Sequence, residues 1–298
     1  MKKGKQNFKV TGIGELLWDL LPEGKKLGGA TTNFAYHASQ LGAESYNISA
    51  IGNDAPGDEI LEYFEGLKLH TGFIHRVKEK ETGVVNVQLN KGIPTYDIKT
   101  DVAWDFIPFT ENEKLLAKEC DAVCFGTLAQ RSEKSRTSIK EFLKATKPEC
   151  LRVFDINLRQ SFFSREIITD SLELASVLKL NDEELPVVTE FFSLNGNEEV
   201  VLDKLIKLFK LDLAVLTKGG KGSLLKTAEE TSFCEVPEVK IADTVGAGDS
   251  FTAAVAIGWL NGKPLAEINQ AATEIAAFVC TSQGATPVLP DKLATMVQ

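Results

Sequence analysis

A chain of 298 residues, 43% hydrophobic and 25% charged, has the composition of a globular domain with a large core. A formal net charge of −9 excludes nucleic acid and anionic membranes as partners, since both need clustered Lys and Arg. No run of about 18 apolar residues signals a membrane span, no apolar segment follows the basic start Met1-Lys2-Lys3-Gly4-Lys5, and five scattered cysteines read as free thiols of a cytoplasmic enzyme.

In chain order, residues 8–14 read as a strand and a glycine-punctuated segment, 21–32, follows. Phe34, His37, Ala38 and Leu41 share a helical face over 33–41, with Gly42 as its stop. A strand at 45–51 precedes an amphipathic helix at 58–67. Gly52, Asp54 and Gly57 before it read as a turn, with the helix cap at Asp58. Short alternating segments at 84–89 and 95–98 flank Lys91-Gly92, a hairpin signal. Strands at 122–125, 152–155, 177–180 and 213–217 then alternate with helices at 132–146, 165–175 and 198–209. Two apolar helices follow at 250–260 and 265–281. The alternation predicts one α/β domain over 1–298, a mostly parallel sheet with helices on both faces. Segments 16–32 and 84–104 do not fit it and predict a small β lid over the crevice at the strand ends.

The chemistry concentrates in turns after the predicted strands. Asp243-Thr244-Val245-Gly246-Ala247-Gly248-Asp249-Ser250-Phe251 is a glycine turn entering an apolar helix. Free N–H groups and the dipole make such a start an anion site, and a carboxylate beside it suits a base for a hydroxyl proton. Turn-and-cap chemistry alone also fits so short a fragment. Asp19, Gly28, Gly29 and Asn33 bring a carboxylate, an amide and close backbone approach together, which suits sugar hydroxyls. Gln88 and Tyr96 on the lid segments suit a sugar or an ordinary cross-strand pair. Asp155, Asn157 and Arg159 share one side if the chain is extended there. Asn181 and Glu184, in an acidic segment after a strand, read by themselves as a helix cap. Thr217, Lys218, Gly219 and Gly222 form a turn suited to nucleotide phosphate, without P-loop spacing.

The 243–251 string resembles the signature of the PfkB (ribokinase-like) carbohydrate kinases, D-T-x-G-A-G-D-x-F, at every defined position. In order from 12 to 285, the chain also resembles the family's G-E-x-x-x-D…G-G-A-x-x-N-x-A, its N-x-x-E, its T-x-G-x-x-G and the adenine-side stretch around Ala277 and Cys280. D-x-N-x-R over 155–159 is similar to the fructokinase and 2-keto-3-deoxygluconate kinase branch. The resemblance implies a ribokinase-like three-layer sandwich with a β lid and ATP-dependent phosphorylation of a sugar's primary hydroxyl. Fructose is favoured, with 2-keto-3-deoxygluconate, ribose or another sugar open. Asp249 would be the base. Gly246, Ala247, Gly248 and Arg159 would balance charge. Asp19, Gly28, Gly29, Asn33, Gln88 and Tyr96 would contact the sugar. Asn181, Glu184, Thr217, Lys218, Gly219, Gly222, Ala277 and Cys280 would serve ATP, with Glu184 holding Mg²⁺ through water. Asp243 and Val245 are candidate K⁺ ligands, and a homodimer through the lid is a candidate assembly. Thr95-Tyr96-Asp97-Ile98-Lys99 departs from the F-x-F-x-R of many fructokinase-like members. A non-catalytic binder on the same fold is the other class, against which the intact Asp249 and N-x-x-E argue.

Overall fold

The computed structural model describes residues 7–21, 24–90 and 93–298, with the side chains of all but 21, 87–90 and 93–96. The chain enters through β1 (Lys9–Ile13), passes into β2 (Leu17–Leu21) and β3 (Gly24–Gly28), and returns as α1 (Ala30–Gln40). Next come β4 (Glu44–Gly52), α2 (Ala55–Gly66), β5 (Ile74–Val77), β6 (Gly83–Asn90) and β7 (Ile93–Ile98). Helix and strand then alternate: α3 (Glu111–Glu119), β8 (Ala122–Phe125), α4 (Glu133–Ala145), β9 (Leu151–Asp155), α5 (Arg165–Leu174), β10 (Val177–Asn181), α6 (Glu184–Phe191), α7 (Glu198–Phe209) and β11 (Leu213–Thr217). Two further strands, β12 (Ser223–Lys226) and β13 (Thr231–Cys234), precede α8 (Ala247–Leu260), α9 (Leu265–Cys280) and the short α10 (Asp291–Ala294).

One nine-stranded sheet, in the order β13-β12-β11-β10-β9-β8-β1-β4-β5, is the middle layer. It is parallel from β11 to β5, and β12 and β13 pair antiparallel at one edge. Alternate residues serve the two faces, because successive side chains point to opposite sides. Leu213 and Val215 pack with α8 and α9, while Ala214 and Leu216 join the core under α3 to α7. Burial on both faces explains the nearly unbroken apolar runs of these strands.

From β1 the chain winds outward through β4 to β5, and from β8 it winds the other way to β11. That reversal is the switch point at which open α/β sheets bind ligands, outside the carboxyl ends of the strands. Glu15 follows β1, Asp155 ends β9, Asn181 ends β10 and Thr217 ends β11, so the motifs line one edge of the sheet. A separate four-stranded sheet, β3-β2-β6-β7, is built from the two segments outside the alternation. Leu16, Trp18, Leu27, Ile51, Ile60 and Phe64 bury its inner side against α2, and Trp18 donates from Nε1 to the Pro56 carbonyl at 3.0 Å.

Several boundaries differ from the expectations. α1 begins at Ala30 rather than 33, because Gly29 turns at φ 122 and accepts the Asn33 N–H at 3.0 Å. Asn33 therefore sits inside the first turn with its side chain free for the site. The cap of α2 is Asp54, not Asp58: its carboxylate accepts from the Gly57 N–H at 3.0 Å, and Pro56 occupies the first turn. α8 begins at Ala247, since Gly246 takes a left-handed φ of 79. The run from Asp155 to Arg159 is not extended, because Asn157 has φ 45. β5, α3, β12 and β13 arise where short or polar segments carry weak periodicity. Lys91-Gly92 lie outside the described residues.

Candidate active site

Asp249 lies in the first turn of α8, which has no side-chain cap. The N–H groups of Gly246, Gly248 and Asp249 find no acceptor among the described residues, which leaves donors of the kind that bind anions. Gly246 is demanded by sterics as well as by φ, for a Cβ there would lie 2.6 Å from the Ala285 carbonyl oxygen. His37 bonds the same carbonyl at 2.8 Å from its Nε2. Burial lowers the His37 pKa to about 4, so the ring is neutral and braces this turn without charge.

Asn33 joins Asp249 to the sugar side of the crevice. Its Nδ2 donates to Asp249 Oδ2 at 2.8 Å, and its Oδ1 is buried with no partner among the described residues. An orphan acceptor there is the signature of a missing donor. Desolvation, then the nearby charge of Asp155, raises the Asp249 pKa to about 7, against the Asn33 bond and the cations Lys179 and Arg159.

Asp19 projects from β2 over the start of α1. A Cβ on Gly28 would lie 2.5 Å from its Oδ2, so glycine makes room for the carboxylate. At Gly29 a Cβ would come within 2.3 Å of the Glu15 carbonyl oxygen. Desolvation raises the Asp19 pKa to about 6, while Arg159 and Lys26 pull the other way. Glu15 is buried behind them and accepts the Ala30 N–H at 3.0 Å. The exposed Arg159 donates to the Leu158 carbonyl at 3.1 Å and forms no ion pair among the described residues. Its charge nevertheless acts on Glu15, Asp19 and Asp249. The structure thus brings Asp19, Gly28, Gly29, Asn33, Arg159 and the Gly246–Asp249 turn together. The Gln88 and Tyr96 side chains lie outside the described residues.

Asn181 and Glu184 act as a cap in this fold. Asn181 Oδ1 accepts the N–H groups of Glu183 and Glu184, both at 2.9 Å. Glu184 accepts from Asn181 N at 2.8 Å and from Leu158 N at 2.9 Å, one on each oxygen. The two residues form a reciprocal cap on α6, and Glu184 also holds the backbone that leads to Arg159. Among the described residues no group of three or more His, Cys, Asp or Glu side chains is arranged around a metal site. Asp243 Oδ1 accepts the Val245 N–H, and its Oδ2 takes both the Gly284 N–H and the Lys26 ammonium, each at 3.1 Å.

The turn after β11 closes with Lys218 N bonded to the Gly222 carbonyl at 2.9 Å. Gly222 has φ 108, and a Cβ there would meet the Cys234 carbonyl at 2.5 Å. Lys218 pairs with Glu198 at 2.7 Å and Lys221 with Asp182 at 3.4 Å, so their ammonium groups are engaged by the chain. Ser223, next in sequence, bonds Asn269 at 2.6 Å and lies 3.0 Å from Thr273 on α9. Ala277 and Cys280 continue that helical stripe, which places them on the side of the Thr217–Gly222 turn. Sequence reasoning missed Lys179, Lys26 and Thr252. A lone charge in the apolar run Val-Leu-Lys-Leu-Asn of β10 was the available signal for Lys179.

A parallel sheet with this switch point and a desolvated carboxylate at the N–H-rich start of α8 fit one class, a sugar kinase of the ribokinase fold. The chain belongs to the pfkB family of carbohydrate kinases, whose profile matches residues 23–292. It is 30% identical to a sugar kinase of Pyrococcus horikoshii over 93% of this chain and 91% of that protein. The crystal structure of that uncharacterized sugar kinase superposes with a TM-score of 0.84 at 29% identity, covering 97% of this chain and 99% of that one. A second crystal structure of it, in complex with ATP, superposes at 0.82 and 28% identity over 98% and 100% of the two chains. A fructokinase of Klebsiella pneumoniae is 27% identical over 96% of this chain and 97% of its own. No helix among the described residues is long and apolar enough to cross a membrane.

Proposed function

We propose that this sugar kinase transfers the γ-phosphoryl group of ATP to a primary hydroxyl of fructose. The observation that carries the reading is the Asn33–Asp249 pair: a base of pKa about 7 next to a buried amide oxygen that lacks a donor. A sugar hydroxyl on Asn33 Oδ1 would place a neighbouring hydroxyl against Asp249. That hydroxyl proton moves to the carboxylate as its oxygen bonds to the γ-phosphorus. The bond from phosphorus to the bridging oxygen breaks, and the electron pair leaves with ADP. The N–H groups of Gly246, Gly248 and Asp249 take up the charge on the transferred group, with Arg159 nearby, whereas Ala247, expected among these donors, gives its N–H to the Thr244 carbonyl at 3.4 Å. Asp19 beside Gly28 and Gly29 holds further hydroxyls, and the four-stranded sheet closes over them as a lid.

The turn from Thr217 to Gly222, with Ala277 and Cys280, suits the nucleotide. Mg²⁺ would supply charge neutralisation on the phosphates, and Glu184, whose oxygens each accept one N–H and keep a further lone pair, would hold it through water. Fructose is supported by the 155–159 motif and by the likeness to a fructokinase. A second reading, 2-keto-3-deoxygluconate, is supported by Arg159, a guanidinium at the site with no ion pair among the described residues and suited to a carboxylate. The test is a panel of fructose, ribose, 2-keto-3-deoxygluconate and other sugars with ADP release as readout. Turnover of fructose above all others is expected, and turnover of none would sink the reading.

A further inference from the structure

Lys179 is charged where its neighbours Val177, Leu178 and Leu180 are fully buried. Parallel pairing sets it opposite Asp155 on β9, so both side chains leave the sheet on one face, toward α8. Its Nζ lies 3.0 Å from Asp155 Oδ1. Thr252 Oγ1 lies 3.0 Å from Asp155 Oδ2 and 2.9 Å from the Gly248 carbonyl. The ammonium reaches the opening turn of α8 itself, for a Cβ on Gly248 would stand 3.2 Å from Nζ.

A cation beside a helix N-terminus opposes the dipole, and here the carboxylates of Asp155, Glu184 and Asp249 hold it in place. The start of a helix carries the positive end of the dipole, and the donors of Gly246, Gly248 and Asp249 are unsatisfied there. A buried ion pair used only to join sheet and helix would be matched by apolar side chains of the same size. The other charges facing Lys179 are Glu184 from α6 and Asp249 from α8, and the Cys124 thiol of β8 lies within its field.

We propose that Lys179 is a positioning residue for phosphoryl transfer, whose ammonium, held by Asp155, which Thr252 in turn braces, sets the positive potential of the anion-binding turn from behind. The inference rests on the kinase reading above. No covalent step passes through Lys179. It favours the charged transition state and the ionised form of Asp249, both through the first turn of α8.

The test pairs two variants of opposite sign. Lys179→Met should lower kcat about 10²-fold, as loss of a preorganised donor does, with far smaller changes in KM for ATP and sugar. It should also move the acid limb of the pH–rate profile up by about one unit. Asp155→Asn, nearly isosteric, should move that limb down, and Lys179→Arg should recover part of the rate. Carbon-13 NMR titration of the Asp249 carboxyl in unliganded protein should show the same opposite displacements. A folded Lys179→Met variant with wild-type kcat, or midpoints that move in neither variant, would overturn the inference. If Lys179→Met does not fold, Lys179→Gln carries the same test, and a wild-type kcat or an unmoved midpoint in it overturns the inference. A wild-type chain that turns over no sugar would sink the kinase reading only, and the carboxyl titration would still decide the role of Lys179.

Discussion

Lys26 of β3 places its ammonium 3.1 Å from Asp243 Oδ2, so the outlying sheet is tied by an ion pair to the loop that opens α8. Desolvation pushes the Asp243 carboxyl up, but the Val245 and Gly284 N–H groups and Lys26 outweigh it and hold the pKa below the ordinary value. A residue of the four-stranded sheet thereby supplies fixed positive charge beside the anion-binding turn.

Monovalent cations should therefore be dispensable. Initial rates in buffer free of Na⁺ and K⁺ should stay flat as K⁺ is added at constant ionic strength. Activation by K⁺ would mean that Lys26 is displaced and that Asp243 is a cation ligand after all.

Asp249→Asn should lower kcat by about 10²–10⁴, the range for loss of a general base, with ATP binding nearly unchanged by calorimetry. The same change should stabilise the fold, and the sign follows from linkage. The folded pKa is raised from 3.8 to about 7, so the stability tied to this proton is present below pH 3.8 and lost as pH rises through 7. The variant's Tm should exceed that of wild type by roughly 10 °C at pH 8 and match it near pH 4. Equal Tm values at pH 8 would mean that the carboxylate is not desolvated.

The wild-type kcat/KM should fall tenfold per unit of pH below an apparent pKa near 7, because only the ionised carboxylate accepts the proton. An acid limb near pH 4 would assign the base to a group with an ordinary carboxyl pKa.

How much of this was legible beforehand depends on how local each signal is. The strands from β8 to β11 read directly, since burial on both faces writes an apolar run into a few adjacent residues. The four-stranded sheet was legible only as an exception to the alternation. Contacts such as Asn33 with Asp249, 216 residues apart, exist only once the strands are ordered, and no local pattern encodes them. The Asn181–Glu184 spacing is local and reads as the cap that the hydrogen bonds form. Lys26 has no local pattern at all, being one lysine on a strand whose partner lies beyond α7.

Asp19→Ala should raise the sugar KM about tenfold or more, from the loss of a partner worth about 1–3 kcal/mol, with the ATP KM almost unchanged. Gly28→Ala should act the same way, since its methyl would stand 2.5 Å from Asp19 Oδ2 and drive the carboxylate aside. Equal effects on both substrates would place Asp19 outside the sugar site.

Glu184→Gln tests a carboxylate that caps α6 and would hold Mg²⁺ through water. Each Glu184 oxygen accepts a backbone N–H, from Leu158 and from Asn181. Glutamine keeps one acceptor and turns an NH₂ toward the other donor, leaving a buried N–H unpaired at about 1–3 kcal/mol. Thermal unfolding should therefore begin several degrees lower. The rate should fall as well, because the Leu158 backbone carries Arg159, whose charge acts on Asp19 and Asp249. The Mg²⁺ concentration that gives half the maximal rate should rise, because a neutral amide attracts the ion and its waters less than a carboxylate does. An unchanged concentration would leave Glu184 to the cap alone, and an unchanged Tm would leave the cap on α6 to Asn181.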